Sequence, residues 1–94
     1  MTNENDLKAF MKLSQRFIHL ANKMKDEGKP LPMINAALMS ASATYGTFIF
    51  AGNAGYLKPT GVDKLVETFR LQVENLQRIK QQAAEAGVSA TNGE

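Results

Sequence analysis

The chain has 94 residues, a net charge of +2, one His and no Cys. A chain of this length is expected to form one small domain. The absence of Cys excludes disulfides and thiolate metal sites, and a single His gives no basis for a zinc site. Small domains commonly need an additional source of stability, and oligomerisation is the source that this composition leaves open.

The N-terminus and the most apolar window both argue against a membrane protein. The N-terminal sequence MTNENDLKAF lacks the basic and apolar regions of a secretory signal. The window of residues 33–51 holds one Asn, one Gly and several Ser and Thr residues, which makes it too polar to span a membrane. We therefore expect no membrane partner and a cytoplasmic location, which the absence of Cys also fits.

The first predicted helix spans residues 6–26, with Asn3 or Asn5 as its N-cap. Gly28, Pro30 and Pro32 end it. At the helical period, the apolar side chains fall on one side and the basic ones on the other. The apolar side contains Phe10, Leu13, Phe17, Leu20, Ala21 and Met24. The opposite side contains Lys8, Lys12, Arg16, His19 and Lys23.

The second predicted helix starts near Pro32 and ends near Gly52. It lies within residues 30–57, a stretch without a charged side chain. Pro32 suits its first turn, and Gly52 can adopt a positive φ after its last turn. Residues 45–50 could instead form a strand, but the length and the Ala-rich start favour a helix. Its large face contains Ile34, Leu38, Tyr45, Phe48 and Ile49. Its small face contains Ala36, Ser40, Ala43, Thr47 and Ala51.

The uncharged second helix predicts an interface. A helix on the surface of a soluble domain normally keeps a charged face. We therefore expect a second subunit to cover this helix, with its small face as the candidate contact surface. In the alternative interpretation, the Ser, Thr, Asn and Ala side chains form an adequate neutral surface themselves.

The third predicted helix spans residues 62–86 and follows a loop at residues 52–61. Thr60 and Asp63 resemble a capping box, and Gly87 ends the helix. Glu74 and Arg78 are spaced i,i+4 in the favourable order. The apolar stripe contains Val62, Leu65, Val66, Phe69, Val73 and Leu76. Residues 88–94 are predicted to form a mobile tail.

Together, the three segments predict an all-α fold: a three-helix bundle formed by residues 1–87 as one domain and completed by dimerisation. Phe17 and Phe69 lie at the centres of their apolar stripes. We expect both to be buried and near each other through the bundle.

Signs of catalysis are missing from the sequence. His19 lies among cations on a polar face, where a solvated role is the ordinary one. Ser40 and Ser42 have no base beside them in sequence. Gly61 is followed by Val and Asp, so the glycines of the loop do not match the phosphate-binding pattern GxxxxGK[ST]. We therefore expect neither an enzyme nor a cofactor or metal site.

The basic side of the first helix is the one surface with a candidate binding chemistry. Lys8, Lys12, Arg16 and Lys23 could together bind anions or nucleic acid. No aromatic side chain alternates with these cations, as stacking on single strands would require. An ordinary solvated face is the favoured interpretation.

Three segments resemble a small bacterial family known as domain of unknown function 3144. They are FIHLAN at residues 17–22, NAALMSASATYGTF at residues 35–48 and FRLQVENL at residues 69–76. The resemblance implies a bacterial, cytoplasmic, all-α domain without an assigned activity. It supplies no site residues.

Three functional hypotheses follow. The leading one is a non-enzymatic interaction module that forms a homodimer through the second helix. The alternative is an anion or nucleic-acid binder that uses the first helix. A third class, a small-molecule-binding bundle, requires a cavity beside the Ala/Ser/Gly face of the second helix.

Overall fold

A computed structural model describes residues 3–87. It contains α1 at Glu4–Asp26, α2 at Leu31–Ala51 and α3 at Pro59–Glu85, with a short 3-10 helix at Gly52–Ala54. The described residues contain no strand, so the predicted all-α class with three helices is confirmed. The strand alternative for residues 45–50 is wrong, because these residues lie within α2. The predicted tail at residues 88–94 lies outside the described residues.

The start and end of α1 follow from local chemistry. Asn3 is the N-cap, and its Oδ1 accepts a hydrogen bond from the Asp6 backbone N–H at 2.8 Å. This bond satisfies one of the donors that a helix start leaves unpaired. After Asp26 the chain turns at Gly28, whose φ of 89° lies in the left-handed region that favours glycine.

The start of α3 differs from the prediction. The helix begins at Pro59, and its N-cap Lys58 makes no side-chain capping bond. Thr60 lies inside the first turn, so the predicted capping box with Asp63 is wrong. Proline suits this position because the backbone N–H that it lacks would have no partner within the helix there. The start at Pro59 and the 3-10 turn make the connection shorter than predicted.

The last part of α3 contains a second local difference. Arg78 Nη2 donates to Asn75 Oδ1 at 2.6 Å, one turn earlier along the helix, instead of pairing with Glu74. The predicted helix end is confirmed: α3 stops at Glu85, and Gly87 adopts a φ of 79°.

The described residues form two compact units, residues 3–40 and residues 41–87, and the division between them falls within the sequence of α2. In the first unit, Ile34 is the only buried side chain, with 8% of its surface exposed. The half-buried residues of this unit are Ile18, Ala21, Asn22 and Met24. These four belong to the second half of α1, so the burial in this unit involves the residues on either side of the α1–α2 turn.

In the second unit, α2 and α3 approach closely at Gly46. A Cβ placed on Gly46 would lie 2.7 Å from Cδ1 and 3.0 Å from Cδ2 of Leu65. Leu65 is half-buried, as are Thr47 and Ala51 on α2. Glycine at residue 46 therefore leaves the room that the Leu65 side chain occupies.

The predicted burial of Phe17 and Phe69 is wrong for the single chain. Phe17 is 61% exposed and Phe69 is 53% exposed. Ile18, next to Phe17 on α1, and Leu65, one turn before Phe69 on α3, are half-buried instead. The helical period shows which apolar side chains share one face of a helix. It does not determine which of them another helix covers.

The close approach at Gly46 gives a testable coupling. An added methyl should clash with Leu65, at a cost of roughly 1–3 kcal/mol. Against this, Gly→Ala inside a helix gains about 1 kcal/mol of helix propensity. We expect Gly46→Ala to be neutral or destabilising in the natural chain, but stabilising by about 1 kcal/mol in a Leu65→Ala background. Chemical denaturation followed by circular dichroism measures both differences.

Ser42→Ala is the matched control for this coupling, because Ser42 is exposed one turn before Gly46 on the same helix. The change in stability caused by Ser42→Ala should be the same in the natural chain and in the Leu65→Ala background. Equal stabilisation by Gly46→Ala in both backgrounds would show that Leu65 does not occupy this space.

Candidate interaction surfaces

The predicted small face of α2 is largely accessible. Ala36, Ser40 and Ala43 are exposed, while Thr47 and Ala51 are half-buried. The Thr47 hydroxyl donates to the Ala43 backbone carbonyl at 2.8 Å. Its donor is thus satisfied within the helix and needs no external partner. The exposed part of the small face begins at Ala36 and ends at Ala43.

The large face of α2 is also accessible along most of its length. Tyr45 and Phe48 are each 68% exposed, and their ring centroids lie 6.3 Å apart at an interplanar angle of 42°. Ile49 is 58% exposed, so Ile34 is the buried member of the predicted large face. A second group of large side chains on α2 is exposed as well: Leu31, Met33, Met39 and Phe50. The helix therefore presents apolar groups on more than one side.

Gly46 is the residue of α2 that the sequence analysis missed. The small face was the predicted contact surface of α2, but α3 comes close to α2 at Gly46, which is outside that set. An isolated glycine within a helical pattern was the available signal, because glycine weakens a helix unless it has a packing reason.

The basic side of α1 is exposed at all four predicted anion-binding positions, Lys8, Lys12, Arg16 and Lys23. Lys8 Nζ lies 3.7 Å from Glu4 Oε2, an exposed pair that contributes little to stability. Lys23 lies in the last turn of α1, where a cation interacts favourably with the helix dipole. This position gives Lys23 a structural explanation that needs no ligand.

A groove lies beside the end of α2, the helix where the small-molecule-binding hypothesis requires a cavity. It has a volume of about 360 Å³ and is lined by Thr44, Thr47, Phe48, Gly52 and Gly55. Four of these residues are exposed, and Thr47 is half-buried. Small-molecule sites normally bury most of their ligand's surface. A groove with such exposed walls offers a ligand little enclosure.

Residues 3–87 contain no group of three or more His, Asp or Glu side chains placed to hold a metal ion. None of the helices in this part of the chain is both long and apolar enough to cross a membrane. His19 is exposed on α1. The accessible faces of the helices are thus the surfaces on which a functional argument can be built.

No protein-family model, curated protein or solved structure matches the chain. The resemblance to domain of unknown function 3144 therefore stays a prediction.

Proposed function

We propose that the protein is a non-enzymatic helical interaction module that forms a homodimer through α2. One observation carries this proposal. Residues 30–57 contain no charged side chain, and the α2 helix within them exposes large apolar groups such as Tyr45, Phe48 and Ile49. Contiguous exposed apolar groups on a soluble protein mark an interaction surface.

The lack of charge on α2 favours a protein partner. The fully buried centre of a protein interface is depleted in charged residues and enriched in aromatic residues and Met. Residues 31–51 fit this composition, since they combine Tyr45, two Phe and two Met residues with no Lys, Arg, Asp or Glu. A second copy of the chain supplies a surface of the same neutral character.

We further propose that this module works in a bacterial cytoplasm. The lack of Cys suits a reducing compartment. The sequence resemblance described above supports a bacterial source.

Sedimentation equilibrium of the full chain at micromolar concentration tests the dimer. We expect twice the mass of the 10.3 kDa chain. A specific interface should bury at least about 1,000 Å² in total. A mass of one chain at all concentrations up to about 100 µM, equivalent to an affinity weaker than about −5.5 kcal/mol, would contradict the proposal.

The exposed cations on α1 support the alternative function, binding of anions or nucleic acid. Lys12, Arg16 and Lys23 have no acidic neighbour among the described ion pairs. We expect only weak, sequence-independent binding to oligonucleotides at low ionic strength. It should disappear near physiological salt, because few phosphates are neutralised. Fluorescence polarisation with duplex and single-stranded oligonucleotides at two salt concentrations measures it.

Two substitutions serve as the control for this prediction. Lys12→Glu with Arg16→Glu reverses the charge at the centre of the basic side, and both positions are exposed. Submicromolar binding that persists at physiological salt and is lost in this double variant would favour nucleic-acid binding over the proposed module.

A further inference from the structure

Four large apolar side chains on one face of α1 are exposed. They are Phe10, Leu13, Phe17 and Leu20, which we call the α1 stripe. Their spacings of three and four residues place them along one face of the helix. Each exposes between 40% and 61% of its surface. The half-buried residues of α1 are Ile18, Ala21, Asn22 and Met24, so the packing within residues 3–40 leaves the α1 stripe uncovered.

The cations of α1 give this stripe a charged border. Residues 7–25 contain five Lys and Arg residues and no Asp or Glu. Arg16 lies directly at the stripe, since a hollow of about 420 Å³ is lined by Leu13, Arg16, Phe17 and Leu20. Lys8, Lys12 and Lys23 are exposed on the same charged side of the helix as Arg16. One helix thus combines an apolar hollow, a guanidinium at the edge of that hollow and further cations.

The third helix exposes apolar side chains without this charge. Phe69 on α3 is 53% exposed, which is similar to the exposure of the α1 stripe. However, residues 59–85 contain four basic and four acidic side chains, so the net charge of α3 is zero. Arg70 also lies 3.6 Å from Glu67, an acidic neighbour on its own helix. The two helices therefore differ in charge more than in apolar exposure, and this difference favours a negatively charged occupant for α1.

We propose that α1 binds the surface of an anionic lipid bilayer, with the α1 stripe among the upper acyl chains and the cations at the lipid phosphates. A helix with Phe and Leu on one face, Lys and Arg on the other and low overall hydrophobicity lies in the membrane interface in this way. Lys and Arg side chains extend their charged ends to the headgroups while their stems cover apolar surface. The expectation of no membrane partner rested on the lack of a spanning segment, and surface binding needs none.

The area of the α1 stripe favours a bilayer over a protein partner. Four large side chains that are about half exposed present roughly 300 Å². A stable protein interface takes about 800 Å² from each partner. Membrane binding has no such threshold, because apolar burial and attraction to anionic lipids add to each other along the helix. Each Lys or Arg near an anionic surface strengthens binding by about fivefold. Because the proposed homodimer uses α2, the two interactions can be tested separately.

Co-sedimentation of the full chain with lipid vesicles tests the proposal. Vesicles of phosphatidylglycerol and phosphatidylcholine in equal amounts supply an anionic surface, and vesicles of phosphatidylcholine alone supply a neutral one. We expect binding to the anionic vesicles to be at least about 30-fold stronger, because several cations contribute about fivefold each. Added salt should weaken this binding by screening the charges. Equal binding to both kinds of vesicle, or binding to neither at low ionic strength, would overturn the proposal.

Phe17→Ser and Phe69→Ser are a matched pair that tests the α1 stripe. Both residues are exposed in helices, and Ser has a helix propensity similar to that of Phe. We expect Phe17→Ser to weaken binding to the anionic vesicles by about tenfold, because it removes a large apolar contact with the acyl chains. Phe69→Ser should change it by less than about twofold. Equal losses in the two variants, or full binding by Phe17→Ser, would contradict a docked α1 stripe.

A second pair tests the charges. Lys12→Glu with Arg16→Glu should weaken binding to the anionic vesicles by at least about 30-fold. Lys64→Glu with Arg70→Glu makes the same change of net charge at exposed positions on α3, and we expect a loss of less than about threefold. Equal losses in the two double variants would overturn the proposal, because net charge alone would then account for binding.

Two further measurements separate the bilayer from other occupants of the α1 stripe. Phe17→Ser should leave any oligonucleotide binding unchanged, because duplex phosphates contact cations and not apolar side chains. An equal loss of oligonucleotide and vesicle binding in this variant would contradict the lipid contact. Sedimentation equilibrium of Phe17→Ser should give the same mass as the natural chain. A lower mass, together with no vesicle binding by the natural chain, would show that the stripe is a contact between copies and would overturn the proposal.

Discussion

Ala43→Arg should weaken the homodimer by at least about 100-fold, because each subunit would bring an unpaired guanidinium into the interface. A buried charge left without a partner costs roughly 3–5 kcal/mol, and each 1.4 kcal/mol changes an equilibrium constant tenfold. Ala43 lies on the small face of α2 and is exposed in the single chain. The longer side chain therefore has room within its own subunit. Sedimentation equilibrium across a concentration series measures the change.

Gln82→Arg is the control, because it adds the same charge at an exposed position on α3, away from its apolar stripe. We expect its dissociation constant to stay within about threefold of the natural chain, as surface substitutions usually change free energies by less than about 0.5 kcal/mol. The concentration series also separates two explanations for any loss of helicity in Ala43→Arg. If helicity recovers at high protein concentration, Ala43 lies in the interface. If no protein concentration restores the helicity, Ala43 lies in the interior of a single subunit.

Ile34→Ala should lower the free energy of unfolding by roughly 2–5 kcal/mol, the usual range for truncating a buried Ile. Ile34 is 8% exposed, whereas Met33 beside it is 63% exposed. Met33→Ala is thus a control of similar size on the same turn of α2. It should cost less than about 1 kcal/mol if the partner subunit does not cover it. Urea denaturation followed by circular dichroism, at one fixed protein concentration, compares the two variants.

Two results would contradict the expected difference between Ile34→Ala and Met33→Ala. Equal small losses would show that Ile34 makes no important packing contact. Equal large losses would show that Met33 is covered as well, which would place the N-terminal end of α2 within the dimer interface.

The local structure of the chain was predictable because it depends on neighbouring residues. The end of α1, and both ends of α2 to within a residue, follow from the positions of proline and glycine and from the helical period of the apolar side chains. Asn3 was one of two predicted caps, and the choice between them depended on the backbone. The start of α3 was missed because a proline at the first position and a capping threonine one residue later are competing signals.

Burial could not be predicted in the same way. Phe17 and Phe69 occupy the centres of regular stripes, yet more than half of each is exposed in the single chain. A stripe shows that a helix needs a partner, but it does not identify that partner as another helix of the same chain or one of a second chain. The small face of α2 likewise does not show which of its residues are covered: Ala43 is exposed, whereas Thr47 is half-buried.

The start of α3 has a consequence for the local unfolding of the chain. Three features weaken its first turn: Lys58 provides no capping bond, its charge lies at the positive end of the helix dipole, and Gly61 lowers helix propensity. This turn is therefore where α3 frays first, and its amides should be among the first of that helix to exchange with solvent deuterium. Leu65 lies one turn further along and remains against Gly46 while the end opens. The connection from α2 can thus lengthen briefly without separating the two helices, which makes it the natural place to insert a tag or a linker.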